Sequence, residues 1–424
     1  MNPSTAHKLM PAGVYRALFL LALSTTGTVD ADVIADFNAV AARTATPAVP
    51  YPAVTPEEQR TLSFVDVATV HVAMYDAVVA IEGQYQPYAV VPSSATQGAS
   101  ASAAAAAAAC TVLQGLFPNR APEYQAACAP FQPGASIEPA TVLGVAVGVE
   151  VGEKTLAERV DDGRATTQNY VPTGAVGAFV PAAPGNPVWH FAKYMRPFTL
   201  LAPSQFRADG PPGLASPEYA AAYEEVKMLG RTGGADLSTA QLENARFHTE
   251  NPNLFWPRAV RVFLNQPRLV DNARLGALMN VAIGDAILGC FDSKYHFNAW
   301  RPRTAIPAAE LDGNEATGAD AGWAPLAASP NHPEYPSGHS CIAGAVGEIV
   351  KRYHGTPSVA FSWSSTVTGS THSYDSVPQM VREIKDARVH GGMHFRYSND
   401  DGAALGARTA HWVTRHYFQP VGSF

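Results

Sequence analysis

The sequence is poor in charge. Asp, Glu, Lys and Arg make up 15% of 424 residues, and the net charge of -7 leaves no basic excess for a polyanion. Nucleic acid and anionic membrane surfaces are therefore not expected partners, although an acidic whole can still carry a basic pocket. Cysteine is scarce as well. Cys110, Cys128, Cys290 and Cys341 include no CxxC pair, which removes the usual paired-thiol metal and redox motifs. No internal repeat is visible, which excludes solenoids and propellers. Past the N-terminus, no apolar run approaches the roughly 20 residues of a membrane span without Gly, Pro or charge interrupting it. No transmembrane segment is expected in the mature chain. What the sequence has in quantity is hydrophobic residues, at 47%, with 34 Gly and 34 Pro. That is enough apolar material for a large core, joined by long irregular connections.

The first residues read as an export signal. Lys8 and Arg16 give a positive start, Ala17 to Ser24 a short apolar run, and Val29-Asp30-Ala31 a small-residue cleavage site. Residues 1–31 are expected to be removed, leaving one domain over 32–424 that works in a secreted or periplasmic setting. In such a compartment Cys110 and Cys128, which flank a predicted turn, have two open fates: a short bridged loop or two buried thiols. Cys290 and Cys341 lie beside the motifs described below.

Helical periodicity dominates the rest. The pattern predicts helices over 61–83, 99–116, 140–160, 217–229, 239–249, 257–263, 270–300, 335–353, 378–390 and 399–417. The Ala-rich stretch in the second reads as a tightly packed helix. Residues 164–214 read as a long structured loop, and the β-branched, Ser/Thr-rich stretch 356–376 as an extended excursion. No composition break divides the chain. The expected fold is all-α, built as packed helix bundles with Pro/Gly-rich loops.

The chemistry gathers in 285–417. In Lys294-Tyr-His-Phe-Asn-Ala-Trp-Arg301-Pro302, helical spacing brings two cations to one face. Like charges so placed repel unless an anion lies between them. In Pro336-Ser337-Gly338-His339, Ser337 suits a helix N-cap, and a helix start is a natural anion site. In Arg388-Val-His-Gly-Gly-Met-His394, a guanidinium fork matches oxyanion geometry and His394 is a candidate nucleophile or metal ligand.

These three pieces, in residue type, spacing and order, resemble the vanadium-dependent haloperoxidase and type 2 phosphatidic acid phosphatase superfamily. VHVAMYDAVVAIEGQYQPY, PFTLLAPSQFR and GDAILGCFDSKYHFNAWRP are similar to its soluble bacterial haloperoxidase-like branch. The resemblance implies that Lys294, Arg301 and Arg388 neutralise the equatorial oxygens of vanadate. Ser337 and the Gly338 N–H would hydrogen-bond to them, His394 would bond vanadium, and His339 would serve as acid–base residue. The implied activity is oxidation of halide by hydrogen peroxide to hypohalous acid. In the phosphatase reading, the same residues hold phosphate and His394 attacks the phosphorus of small phosphate esters. A non-catalytic oxyanion binder is the third reading.

Two details bear on the choice. The family often has an Asp four residues after the second His, orienting the ring; here Ser398 stands there, a weaker orienter. Seven residues before His339, family members with Phe resemble chloride oxidisers and those with His resemble bromide oxidisers; here it is His332, implying bromide or iodide. Trp300 is expected either to pack in the core or to wall the site. Asp292 is expected to pair with a site cation or to be solvated. His71, His190, His296, His354, His372 and His390 are given structural or surface roles.

Overall fold

The computed structural model describes residues 32–46, 62–182 and 187–422. The proposed export signal lies outside them. The described helices are α1 (Val33–Ala45), α2 (Ser63–Glu82), α3 (Ala101–Leu116), α4 (Ala121–Cys128), α5 (Pro139–Arg159), α6 (Pro217–Leu229), α7 (Thr239–Phe247), α8 (Pro252–Arg261), α9 (Leu269–Phe297), α10 (Pro302–Ala305), α11 (Gly338–His354), α12 (Val377–His390) and α13 (Arg396–His416). A small antiparallel hairpin, β1 (Phe361–Ser364) and β2 (Thr371–Tyr374), lies between α11 and α12, with Phe361 opposite Tyr374. It is the extended excursion expected from the sequence. The fold is all-α apart from this hairpin.

At the centre is α9, packed against α2, α11 and α13. A helix surrounded on every side is apolar all round. Accordingly α2 and α9 are long and apolar enough to cross a membrane, with mean hydropathy of 1.6 and 1.4, yet 89% and 94% of those stretches are buried inside the protein. Looking for uninterrupted apolar runs passes over both, because buried acids break them. Those acids tie down loops. Asp76 accepts the N–H groups of Tyr88, Ala89 and Val90 at 2.6, 3.0 and 2.8 Å. Asp285 accepts those of Phe198 and Thr199 at 2.7 and 2.8 Å, and the Thr199 hydroxyl at 2.6 Å.

The Ala-rich α3 packs on α5, and the reason for its composition lies in its partner. Gly144, Gly148 and Gly152 recur along one face of α5; a β-carbon at Gly144 or Gly148 would collide with the carbonyls of Ser100 or Ala104. Small residues on both sides let two backbones touch, and dispersion contacts replace side-chain interdigitation. Cys110 within α3 and Cys128 at the end of α4 are joined in a disulfide, so the bridged-loop alternative holds.

Several elements differ from the sequence reading. Helix α8 begins at Pro252 rather than Pro257, because the Asn251 side chain caps the Asn253 N–H at 3.0 Å and Pro252 takes the first turn. Helix α1 had no counterpart in the reading. Helix α9 stops at Phe297, with Asn298 in the left-handed conformation, so Arg301 is not on that helix. Lys294 and Arg301 therefore do not share a helix face. A short connector carries Arg301 round to the start of α10, in the extended conformation that Pro302 imposes.

Candidate active site

The segment 332–337 and residues 393–394 form the frame of the site, and three buried cations hold it. Lys294 Nζ donates to the carbonyls of Pro333 and Glu334 at 3.0 and 2.9 Å, and to that of Pro336. Arg301 Nε donates to the His332 carbonyl at 2.8 Å, and a terminal nitrogen donates to the Met393 carbonyl at 3.0 Å. Arg388 donates to the His248 carbonyl at 2.7 Å and to the Met393 sulfur. Lys294, Arg301 and Arg388 are all buried. Burial disfavours their charged forms and lowers all three pKa values, Lys294 to about 8. Among these recorded bonds no carboxylate accepts from them. Their partners are neutral carbonyls, a thioether and, for Arg301, the His332 imidazole, which leaves the cationic charge available.

Ser337 occupies the N-cap position of α11, but its hydroxyl makes no capping bond. The Ser337 Oγ and the Arg388 Nε are both buried without a hydrogen-bond partner among the described residues. A buried polar atom left unpaired costs about 1–3 kcal/mol, so such atoms call for an explanation. Beside them a β-carbon at Gly338 would meet nothing within 4 Å, so there is open space at the helix start. A tetrahedral oxyanion there would satisfy the Ser337 hydroxyl, use the free N–H groups of the first turn of α11, and offset the cations. The residues present therefore fit vanadate or phosphate.

Two histidines stand in the field of these cations. His339 is part-buried, in the first turn of α11, and His394 is fully buried. Burial pushes both imidazoles well below their usual range, and Arg301, Lys294 and Arg388 push further. His394 is oriented by Glu334, whose Oε1 lies 2.8 Å from Nδ1 and also accepts the Phe395 N–H at 3.0 Å. Ser398 does not reach the ring. Its hydroxyl donates to the other oxygen of Glu334 at 2.6 Å. Glu334 thus takes the orienting role, and Ser398 positions Glu334. Burial raises the Glu334 carboxyl to about 7. With Nδ1 engaged, Nε2 is the nitrogen of His394 left for a ligand.

His332 lies in the same neighbourhood. Its Nδ1 is 3.0 Å from a terminal nitrogen of Arg301. The same Nδ1 is 3.1 Å from the Pro333 carbonyl oxygen, so a guanidinium that only donates and a carbonyl that only accepts both face this nitrogen. Trp300 is placed in a cluster with Tyr219, Trp323 and Phe395. Asp292 pairs with Arg207 at 2.6 and 3.0 Å, not with a site cation. Cys290 and Cys341 are free and buried, and the Cys290 thiol donates to the Pro336 carbonyl at 3.7 Å.

Helices α11 and α13 carry this frame and touch through glycine. A β-carbon at Gly402 would lie 2.7 Å from the Ser337 carbonyl, and one at Gly344 or Gly406 would collide with the carbonyls of Ala403 or Cys341.

Sequence reasoning missed Glu334 and His248. Glu334 had a signal, being the one acid within HPEYPSGH. His248 had none, since it lies far from the motifs in sequence and reaches Arg388 through its carbonyl.

Comparison with known proteins agrees with this geometry. Residues 274–423 match the family model described as the VCPO second helical-bundle domain. A vanadium chloroperoxidase from Curvularia inaequalis is 29% identical over 41% of this chain, and the match spans 35% of that relative's length. A bacterial vanadium-dependent iodoperoxidase superposes with a TM-score of 0.72 at 21% identity, covering 91% of this chain and 96% of that one. A holo-type bacterial vanadium-dependent chloroperoxidase gives 0.69 at 16% identity, covering 88% and 95%. The fold is that of the vanadium haloperoxidases.

Proposed function

We propose that the protein is a vanadate-dependent haloperoxidase that oxidises bromide or iodide with hydrogen peroxide. The observation that carries this reading is the surplus of buried positive charge. Lys294, Arg301 and Arg388 bond only to neutral acceptors, beside an unpaired Ser337 hydroxyl and open space at Gly338. Vanadate would be held by the three cations, Ser337, the Gly338 N–H and His394, and when bound it supplies Lewis acidity toward peroxide. The chain's own residues do the rest. His394 presents Nε2 because Glu334 holds Nδ1. His339, kept neutral by burial, accepts a proton from incoming peroxide. His332 favours the heavier halides in this reading, as a polar imidazole held beside Arg301, and the likeness to an iodoperoxidase fold is compatible with that.

The Glu334–His394 pair favours a second reading, a phosphatase acting through a phosphohistidine. A carboxylate on Nδ1 raises the nucleophilicity of Nε2, the activation that Ser398 alone would not supply. One assay separates the two. Vanadate-loaded protein is given hydrogen peroxide with iodide, bromide or chloride, and vanadate-free protein is given a phosphate monoester. Iodide and bromide oxidation that disappears in His394→Ala and His339→Ala is expected. Ester hydrolysis without halide oxidation establishes the phosphatase, and brisk chloride turnover removes the role given to His332. The Cys110–Cys128 disulfide supports work outside the cytoplasm. Mass spectrometry of the native protein tests this, with loss of residues 1–31 expected.

A further inference from the structure

We propose that His248, His372 and Glu383 form a divalent metal site of the zinc type, separate from the oxyanion pocket and set behind Arg388. The three come from different elements. His248 follows the last turn of α7, His372 lies in β2 and Glu383 on α12. One ligand atom from each lies within 4.8 Å of the others. His248 Nε2 is 3.2 Å and His372 Nδ1 2.7 Å from the same oxygen, Glu383 Oε1. The Tyr374 hydroxyl is 2.6 Å from that oxygen too. Without an ion, His372 is an imidazolium donating to Glu383 and Glu243; burial lowers its pKa, and the two carboxylates outweigh burial and raise it. A divalent cation among the two imidazole nitrogens and the Glu383 carboxylate takes the place of the Nδ1 proton.

The ligand chemistry is that of zinc, for which two histidines and one carboxylate make a three-ligand set with a fourth position open. Seating the ion at about 2.0–2.2 Å from each ligand requires the closest pair to spread by roughly half an ångström. The outer partner is already present. His372 Nε2 faces Glu243 Oε2 at 2.7 Å, and a carboxylate there fixes the tautomer that leaves Nδ1 free for the metal. Phe247 stacks on the His372 ring with centroids 3.8 Å apart, which fixes its plane. His372 and Glu383 are part-exposed and give the ion a way in, while His248 is buried. The site also has a consequence for the pocket, because the His248 carbonyl accepts from Arg388 at 2.7 Å. An ion that pins His248 pins the guanidinium.

The test uses the full chain without vanadate, stripped by chelator, equilibrated with zinc, freed of excess and analysed for metal. Cobalt is substituted in parallel to read the coordination from its absorption spectrum. About one equivalent retained per chain is expected, as is the spectrum of a nitrogen–oxygen site. His372→Ala and Glu383→Gln should lose it, His394→Ala should keep it, and Glu243→Gln should bind about 10- to 100-fold more weakly. Retention of no metal by the wild type overturns the proposal. So does retention undiminished in both His372→Ala and Glu383→Gln, or loss of the metal in His394→Ala. Circular dichroism checks that each variant folds; if His372→Ala does not, the near-isosteric Glu383→Gln and the cobalt spectrum decide.

Discussion

Two clusters of buried charge in this molecule look alike in a list and differ in what they hold. Near the N-terminal helices, Arg159 and Arg164 meet Asp66 and Asp162, with Arg164 at 2.7 Å from Asp66 and 3.0 Å from Asp162, and Arg159 at 3.2 Å from Asp162. Two cations face two anions and the sum is zero. In the C-terminal bundle, Lys294, Arg301 and Arg388 share their space with one acid, Glu334, whose hydrogen bonds go to His394, Phe395 and Ser398. Both clusters retain unpaired atoms, Asp66 Oδ2 and Arg159 Nε in one, Ser337 Oγ and Arg388 Nε in the other. The distinction is therefore charge balance and not hydrogen-bond completeness. A balanced cluster braces the fold, whereas an unbalanced one is completed by a ligand.

Breaking the balanced cluster should have the largest effect. Asp162→Ala leaves two guanidinium groups without their shared partner and should cost about 3–5 kcal/mol of stability, read by denaturant unfolding, with vanadate affinity unchanged in the protein that remains folded. Arg388→Ala reverses the pattern. Loss of one charge-assisted hydrogen-bonding group should weaken vanadate binding about 10- to 100-fold by equilibrium dialysis. Ser337→Ala is subtler. It removes a neutral hydrogen bond to the anion and should weaken binding about fivefold, while the empty protein, relieved of a buried unpaired hydroxyl, unfolds no more easily. An equal loss of stability would place Ser337 with the bracing residues.

The smallest effect is a pH dependence. With the pocket empty, Lys294 titrates near 8, below its unfolded value. Folding then holds fewer protons than the unfolded chain between about pH 8 and 10.5, so this group's contribution to stability rises with pH across that window and is lost below it. Anion affinity moves the opposite way and should fall above about pH 8 as the ammonium discharges. Calorimetric titration at several pH values checks this, and Lys294→Arg should extend the high-affinity range upward.

The contrast also explains what could be read from sequence. Lys294, Arg301, Ser337, His339, Arg388 and His394 are visible because their spacings are set by short local geometry. The helix face imagined for Lys294 and Arg301 is not there, because the helix ends at Asn298 and a connector does the aiming. Glu334 is less visible because it precedes His394 by 60 residues and meets it only in the fold. His248 and Glu383 reach their neighbours across 124 and 11 or more residues of chain only through folding: His372 lies that far from the first and that near the second. The Ala-rich run read as tight packing, but its glycine-bearing partner on α5 was invisible until the two helices met.

The contact between α11 and α13 sets a limit on how the pocket can change. Where backbone rests on backbone at Gly402, Gly344 and Gly406, no side chain remains to be trimmed, so the aperture between the Ser337 turn and the helix that follows His394 is already at its minimum. Any residue added there acts as a shim. It widens the gap by about a methyl group and moves Ser337 and Gly338 away from His394. Substitution of a side chain beside the frame, such as His332, leaves that backbone contact untouched.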